Sequence, residues 1–157
     1  MTCLSVLDIS GTALMRAQSR LGTRAQLINW IEADVTGDWP VPLVDVWHDR
    51  AVFHFLTEPA QRARYVERLK AAVRQGGSVI VATFGPDGPA RCSGLDVARY
   101  SSEQLARELA GAGLQLQESV SELHQTPFGT TQAFVYCRFV RVDINGVTPG
   151  SGSARSS

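Results

Sequence analysis

Three aspartates stand at the ends of apolar segments: Asp8, Asp34 and Asp49. A carboxylate at the end of a buried strand can accept hydrogen bonds from the hydroxyls of a ribose or from the exocyclic amine of a base. Aspartate is also common at such junctions as a solvated or helix-capping residue. Taken singly, each aspartate is better explained as a solvated or capping residue, and the three together put a nucleoside ligand on an equal footing with that interpretation.

The histidines and cysteines do not form a metal-binding pattern. His48, His54 and His124 lack the i, i+4 helical pairing that zinc sites often use. The three cysteines are an odd number without a C-x-x-C pair, so neither a thiolate metal site nor a disulfide framework is expected. We therefore predict no metal.

The elements that must position these residues alternate between apolar runs and helical patterns. Strands are predicted over residues 4–9, 26–31, 41–47, 78–84, 114–123 and 131–141. Helices are predicted to begin at Ser10, at Thr57 to Pro59 and at Ser101, and residues 85–94 are predicted to form a loop. The alternation indicates an α/β fold with a mostly parallel sheet and helices on both faces. The last two strands, joined by the short turn 124–130, must pair antiparallel.

The bulk composition fits one domain of 157 residues, with 44% hydrophobic residues and fifteen basic residues balanced by fifteen acidic ones. A formal net charge of zero gives no electrostatic footprint for nucleic acid or for anionic lipid. No apolar stretch approaches the ~20 residues that span a bilayer. We predict a cytoplasmic protein with a domain over 1–142 and a disordered Gly/Ser-rich tail over 143–157; its oligomeric state is not predicted.

Four segments together resemble successive motifs of class I S-adenosylmethionine-dependent methyltransferases. They are Val-Leu-Asp-Ile-Ser at 6–10, Glu-Ala-Asp-Val-Thr at 32–36, Val-Asp-Val-Trp-His-Asp-Arg at 44–50 and Gln-Gly-Gly-Ser at 75–78. The resemblance covers about Leu4 to Arg141, and a terminal antiparallel hairpin is a hallmark of the same family. It implies a Rossmann-like methyltransferase fold, S-adenosylmethionine as cofactor and a small-molecule methyl acceptor.

The resemblance also implies roles for the residues that bind the adenosine part of the cofactor. Asp8 would bind the ribose, and Ile9 would pack on the adenine. Asp34 would meet the adenine amine, and Ala33 and Val35 would supply backbone contacts.

The same resemblance places the methyl-transfer end of the site after the third strand. His48 and Asp49 would lie near the methionine end of the cofactor. Arg50 is a candidate substrate anchor, and His54 is a candidate general base for an acceptor that arrives protonated. The alternative for His54 is a buried histidine with satisfied hydrogen bonds among its apolar neighbours.

The chain departs from the family at one motif, because no strand ending in Gly-x-Gly-x-Gly occurs in it. We therefore expect an N-terminally truncated fold in which the strand ending at Asp8 and the one ending at Trp47 either pair directly or leave a gap. Unpaired buried backbone is costly, so cofactor binding is expected to be weak and stability reduced. Two functions stay open: an active methyltransferase, or a non-catalytic remnant of that fold.

A nicotinamide-dependent reductase is the third alternative. An acid after the second strand also serves NAD. The chain has neither G-x-G-x-x-G nor Tyr-x-x-x-Lys, and a closing hairpin is atypical of such enzymes. These departures disfavour the reductase.

Overall fold

The computed structural model describes residues 3–142, so the predicted tail over 143–157 lies outside the described part of the chain. The predicted order of elements is confirmed, with two short strands added. In chain order the elements are β1 (Leu4–Asp8), α1 (Gly11–Leu21), a 3-10 helix (Gly22–Leu27), β2 (Ile28–Glu32), β3 (Val44–Arg50), a 3-10 helix (Phe53–Phe55), α2 (Pro59–Ala72), β4 (Val73–Phe84), β5 (Arg91–Cys92), β6 (Leu95–Asp96), α3 (Ser102–Leu109), a 3-10 helix (Ala110–Ala112), β7 (Leu114–Gln125) and β8 (Thr131–Arg141).

The strands form two main sheets and a two-stranded hairpin. β1 and β2 pair in parallel, and a second sheet has the order β3-β4-β8-β7. Within it β3 and β4 are parallel, whereas β8 runs antiparallel to both β4 and β7. The mixed sheet with its antiparallel closing hairpin is thus confirmed. Of the two expectations for the strands ending at Asp8 and Trp47, direct pairing is wrong: β1 and β3 do not pair, and no described strand lies in the gap between them.

The main hydrophobic core lies on one face of the four-stranded sheet, under α2 and α3. Its fully buried members include Tyr65 and Leu69 of α2, Leu105 and Leu109 of α3, and Val79, Val81, Cys137 and Phe139 of the sheet. A smaller cluster on the opposite face contains Ala82, Phe84, Val97 and Phe134. The remaining helix, α1, packs against β1 and β2 rather than against the large sheet.

Two of the three predicted helix starts are confirmed by their capping contacts. The Ser10 side chain accepts a hydrogen bond from the Ala13 amide at 3.2 Å. The Ser101 hydroxyl accepts from the Gln104 amide at 3.2 Å, and the Gln104 side chain accepts from the Ser101 amide at 2.9 Å, a complete capping box. The second helix begins one residue later than Thr57 predicts, because Glu58 is its N-cap.

No loop separates α2 from β4. The helix ends at Ala72, and β4 continues directly from it. Gly76 has φ +76°, a conformation that favours glycine. A Cβ on Gly77 would lie 3.0 Å from the Asp45 carbonyl of β3, so Gly77 allows the close approach of β4 to β3.

Candidate functional site

A cavity of about 380 Å³ separates β1 from β3. Its walls come from both main sheets, and Asp8 and Asp49 lie at the carboxyl ends of the two flanking strands. This volume falls in the range of about 300–1,000 Å³ that is typical of small-molecule sites. It runs along the gap between β1 and β3, from Ser5 and Val44 near their amino ends to Asp8 and Arg50 at their carboxyl ends. Open α/β sheets bind ligands at that carboxyl end.

Asp8 ends β1 and lines this cavity, and Ile9 follows directly after the strand. Oδ1 of Asp8 accepts a hydrogen bond from the Ser10 amide at 2.8 Å, which leaves Oδ2 for a further donor. The Ile9 side chain is 69% exposed, although it is large and apolar. The pair therefore combines an available carboxylate oxygen with an exposed apolar surface.

The segment after β2 brings Asp34 to the same edge of the small sheet. The Ala33 amide donates to the Asp8 carbonyl at 3.1 Å and so ties the two strand ends together. Oδ1 of Asp34 accepts from both the amide and the hydroxyl of Thr36, at 2.8 and 2.7 Å. Val35 is buried and lines the cavity. Asp34 thus caps a local turn with one oxygen, as the capping interpretation expects, and keeps the other oxygen.

Asp49 is buried, and both its oxygens are occupied by the protein itself. Oδ1 accepts from the Val52 amide at 3.1 Å, and Oδ2 accepts from the Phe53 amide at 3.2 Å and from the Tyr65 hydroxyl at 2.6 Å. The Trp47 indole in turn donates to the Tyr65 hydroxyl at 3.1 Å. Asp49 therefore fixes the connection from β3 to α2 and anchors it to the helix.

The burial that makes this network strong also changes the acidity of its members. Desolvation raises the pKa of Asp49 from 3.8 to about 6, although its three hydrogen bonds act in the opposite direction. Burial and the neighbouring Asp49 carboxylate raise the pKa of Tyr65 well above its usual value. Tyr65 accordingly stays protonated and donates to Asp49.

His48 and Arg50 alternate with Trp47 and Asp49 along β3 and lie on the opposite, exposed face. Both line the cavity rim. The Arg50 Nε donates to the Tyr136 hydroxyl at 2.8 Å. His48 and Arg50 thus point away from α2, and the structure adds Tyr136 as the hydrogen-bond partner of Arg50.

His54 is fully buried, and its side chain binds the backbone at the end of β4. Its Nδ1 accepts the Phe84 amide at 3.1 Å, and its ring packs against the rings of Phe55 and Phe84. An acceptor Nδ1 in a neutral imidazole requires the proton to be on Nε2. Burial lowers the pKa of His54 from 6.5 to about 4, so the ring stays neutral near pH 7. This geometry argues against a general base at His54. The ring is packed in the core, but its buried Nε2 has no hydrogen-bond partner among the described residues, so the alternative of a satisfied histidine is met only at Nδ1.

Tyr65 and Tyr136 are the site residues that sequence reasoning missed. The helical spacing places Tyr65 on the buried stripe of α2, and a buried tyrosine hydroxyl usually finds a partner. That rule signals a hydrogen bond but not to which residue. Tyr136 carries no comparable signal, because its partner Arg50 lies 86 positions away in the chain.

The described residues contain no group of three or more histidine, cysteine or acidic side chains that could hold a metal ion. Within the same residues, none of the helices has both the length and the apolar character to cross a membrane.

Comparison with solved structures identifies the fold as that of class I S-adenosylmethionine-dependent methyltransferases. No protein-family model and no curated protein matches the sequence. The N-methyltransferase NodS from Bradyrhizobium japonicum WM9 is 20% identical with a TM-score of 0.71, over 90% of this chain and 74% of that one. A methyltransferase from Methanosarcina mazei is 10% identical with a TM-score of 0.68, over 88% and 81% of the two chains.

Some of these similar structures contain the demethylated product of the cofactor. A second NodS structure is a complex with S-adenosylhomocysteine. The 1,6-didemethyltoxoflavin-N1-methyltransferase from Burkholderia thailandensis is bound to both its substrate and S-adenosylhomocysteine; it is 18% identical with a TM-score of 0.65, over 88% of this chain and 61% of that one. S-adenosylmethionine is thus the cofactor of this fold.

Proposed function

We propose that this chain is an S-adenosylmethionine-dependent methyltransferase that acts on a small-molecule acceptor. The observation that carries the proposal is the cavity between β1 and β3, with Asp8 on one side and the segment from His48 to Arg50 on the other. Solved examples of this fold bind S-adenosylhomocysteine, and the carboxyl end of this cavity has the position at which open α/β sheets bind ligands.

The residues at the end of the small sheet fit the adenosine half of the cofactor. Asp8 has one carboxylate oxygen available for the ribose hydroxyls, and the exposed Ile9 offers a surface for the adenine ring. Asp34 likewise has one oxygen for the adenine amine, next to backbone groups of Ala33 and Val35.

The other wall offers fewer groups for the methionine half. His48 is exposed at the rim, whereas Asp49 has both oxygens occupied and acts by holding the loop in place. Among residues 3–142 no glycine-rich turn follows a strand at this cavity. We therefore propose tighter binding of the adenosine half than of the methionine half.

Methyl transfer from this cofactor requires mainly that the protein position the acceptor. The bound cofactor would supply a methyl group on a strong leaving group, so holding the acceptor in line can provide much of the acceleration. A general base is needed only for a nucleophile that arrives protonated. Because Nε2 of His54 already carries a proton, we propose that the acceptor binds with its nucleophilic atom unprotonated.

Calorimetric titration of the chain with S-adenosylhomocysteine tests the proposal. Binding is expected, and Asp8→Asn should weaken it about tenfold, because that change removes a charge-assisted hydrogen bond worth on the order of 1.5 kcal/mol. Asp45→Asn is the matched control: Asp45 also lies on a strand, but it is exposed and pairs with Arg74 at 3.4 Å. Asp45→Asn should leave the affinity unchanged.

The second candidate is a non-catalytic remnant of the same fold, with weak or no cofactor binding. It is favoured by one observation, that the β1 and β3 edges facing the cavity have no strand partner among the described residues. Micromolar binding of S-adenosylhomocysteine would exclude this alternative. Absence of binding at millimolar concentration would favour it and contradict the methyltransferase.

A further inference from the structure

Arg50 is an exposed cation that is nevertheless held in one place. Its Nε donates to the Tyr136 hydroxyl at 2.8 Å, and its guanidinium carbon lies 4.6 Å from the centre of the Phe134 ring. Phe134 is itself buried and packs on Phe84, with ring centres 4.9 Å apart. A guanidinium fixed by a hydrogen bond and an aromatic face loses less conformational freedom on binding a ligand.

The direction of this side chain separates it from the adenosine residues. Arg50 pairs with Ala82 of β4, and Ala82 pairs with Tyr136 of β8. To reach Tyr136, the Arg50 side chain therefore crosses β4 and points away from β1, where Asp8 lies. It lies at the carboxyl edge of the large sheet on the β8 side of β3, whereas Asp8 lies on the β1 side.

The charge of Arg50 has no acidic partner within the described part of the chain. Six ion pairs occur there, and Arg50 takes part in none of them. The neighbouring Asp49 is buried, with its oxygens occupied by Tyr65 and two amides. The fixed guanidinium thus presents an uncompensated positive charge to the cavity rim.

The hydrogen-bond donors around this charge match an anion. Because Nε is already used, the two terminal nitrogens of Arg50 keep their hydrogens for a ligand. The Tyr136 oxygen accepts from Arg50, so its own proton is free to donate. A planar fork with an adjacent hydroxyl donor suits the oxygens of a carboxylate or phosphate, which arginine binds in a bidentate manner.

We propose that Arg50 and Tyr136 form a binding subsite for an anionic group, a carboxylate or a phosphate, on the methyl acceptor. The identification of the ligand as the acceptor rests on the proposed methyltransferase function. The anion binding itself is a property of these side chains and does not depend on that function. The subsite would select acidic small molecules and orient them from the β8 side of the cavity.

Three matched probes test the subsite by NMR titration of the isotope-labelled chain, with and without S-adenosylhomocysteine. Benzoate carries the carboxylate, benzamide is its neutral counterpart, and phenyl phosphate carries the alternative anion. We expect an anionic probe to bind at least fivefold more tightly than benzamide, with shifts at Arg50 and Tyr136. Whichever of benzoate and phenyl phosphate binds with the higher affinity carries the preferred anion.

Variants assign the binding to these two residues. Arg50→Gln should reduce the affinity for the preferred anion at least fivefold and abolish its advantage over benzamide. Arg50→Lys should retain part of that advantage, because it keeps the charge without the fork. Tyr136→Phe should reduce it about threefold. Arg138→Gln is the control. Arg138 is an exposed arginine on the same strand and the same face as Tyr136, but it is paired with Glu118 at 3.5 Å.

Equal affinity of the wild-type chain for the anionic probes and benzamide would overturn the subsite, as would an unchanged anion affinity in Arg50→Gln. Failure of the chain to bind S-adenosylhomocysteine is a separate result. It would contradict the proposed methyltransferase function, while the titrations without S-adenosylhomocysteine would still decide the subsite.

Discussion

The small unit of β1, α1 and β2 and the four-stranded sheet form opposite walls of one cavity, but they differ in how they are stabilised. From residue 3 to residue 34, only Leu14 is buried, at 5% exposed. In the large sheet Val79, Val81 and Phe139 are all 0% exposed. The adenosine wall of the proposed site is therefore built on a thin unit, and the acceptor wall on a packed core.

The small unit is connected to the large sheet mainly through the segment that follows β2. Val35 joins the main core, and the Trp39 ring packs against the Trp47 ring with centres 6.3 Å apart. The Arg64 side chain of α2 donates to the Thr36 carbonyl at 2.6 Å. Because β1 and β3 do not pair, these contacts connect the small unit to the large sheet in place of a ladder of strand hydrogen bonds. We expect the small unit to open locally more often than the large sheet.

The same substitution in the two regions should produce the largest contrast. Leu69→Ala in the main core is expected to lower the free energy of unfolding by about 3–5 kcal/mol, because a fully buried leucine leaves a cavity. Leu14→Ala should cost about 2 kcal/mol or less and act mainly on the small unit. Urea unfolding followed by circular dichroism measures the global effect.

Hydrogen exchange measured on the same two variants locates each effect. Leu14→Ala should speed exchange of amides in β1 and β2 and leave those of β4 and β8 nearly unchanged. If both variants accelerate exchange equally in every strand, the two regions unfold as one cooperative unit. That result would contradict the expected local opening of the small unit.

Two buried groups of the large sheet should give opposite dependences of stability on pH. The pKa of Asp49 is raised to about 6, so its contribution is fully present below pH 3.8 and is lost as the pH rises through about 6. The pKa of His54 is lowered to about 4, so its contribution is present above pH 6.5 and is lost as the pH falls through about 4. Between pH 4 and 6 the two contributions, each up to about 3 kcal/mol, largely offset one another.

Removing one group should reveal the other. In Asp49→Asn, stability should fall as the pH is lowered from 6.5 to 4, because the His54 contribution is unopposed. In His54→Asn, where the amide oxygen can still accept the Phe84 amide, stability should rise over the same interval. Urea midpoints at several pH values measure both slopes, and identical slopes in the wild type and the two variants would contradict this assignment.

A smaller effect is expected at the turn between β3 and the following 3-10 helix. Ala51 has φ +62°, a left-handed conformation that costs a residue with a Cβ about 1–2 kcal/mol. Ala51→Gly should therefore raise stability by up to about 1 kcal/mol, part of which the greater freedom of unfolded glycine offsets. Ala63→Gly, at an exposed position inside α2, should instead lower stability by about 1 kcal/mol. A thermal midpoint that falls in both variants would show that the Ala51 turn is not strained.

Local patterns in the sequence predicted the elements and the edge of the sheet to which Asp8, Asp34 and Asp49 belong. They did not predict which of these carboxylates is available, because that depends on distant partners such as Tyr65. Which ring nitrogen of His54 carries the proton likewise depends on the Phe84 amide, thirty positions away. The β5–β6 hairpin was predicted as loop, although its turn residues Ser93 and Gly94, with φ +51° and +79°, are a type of pair that favours tight hairpins.

Mapping S-adenosylhomocysteine onto the amide NMR spectrum of the chain tests whether the two regions hold one ligand between them. We expect shifts at residues 8–10 and 33–35 of the small unit and at residues 48–50 of the large sheet, with little change along β7. Shifts confined to one of the two regions, or no shifts at millimolar ligand, would contradict that expectation.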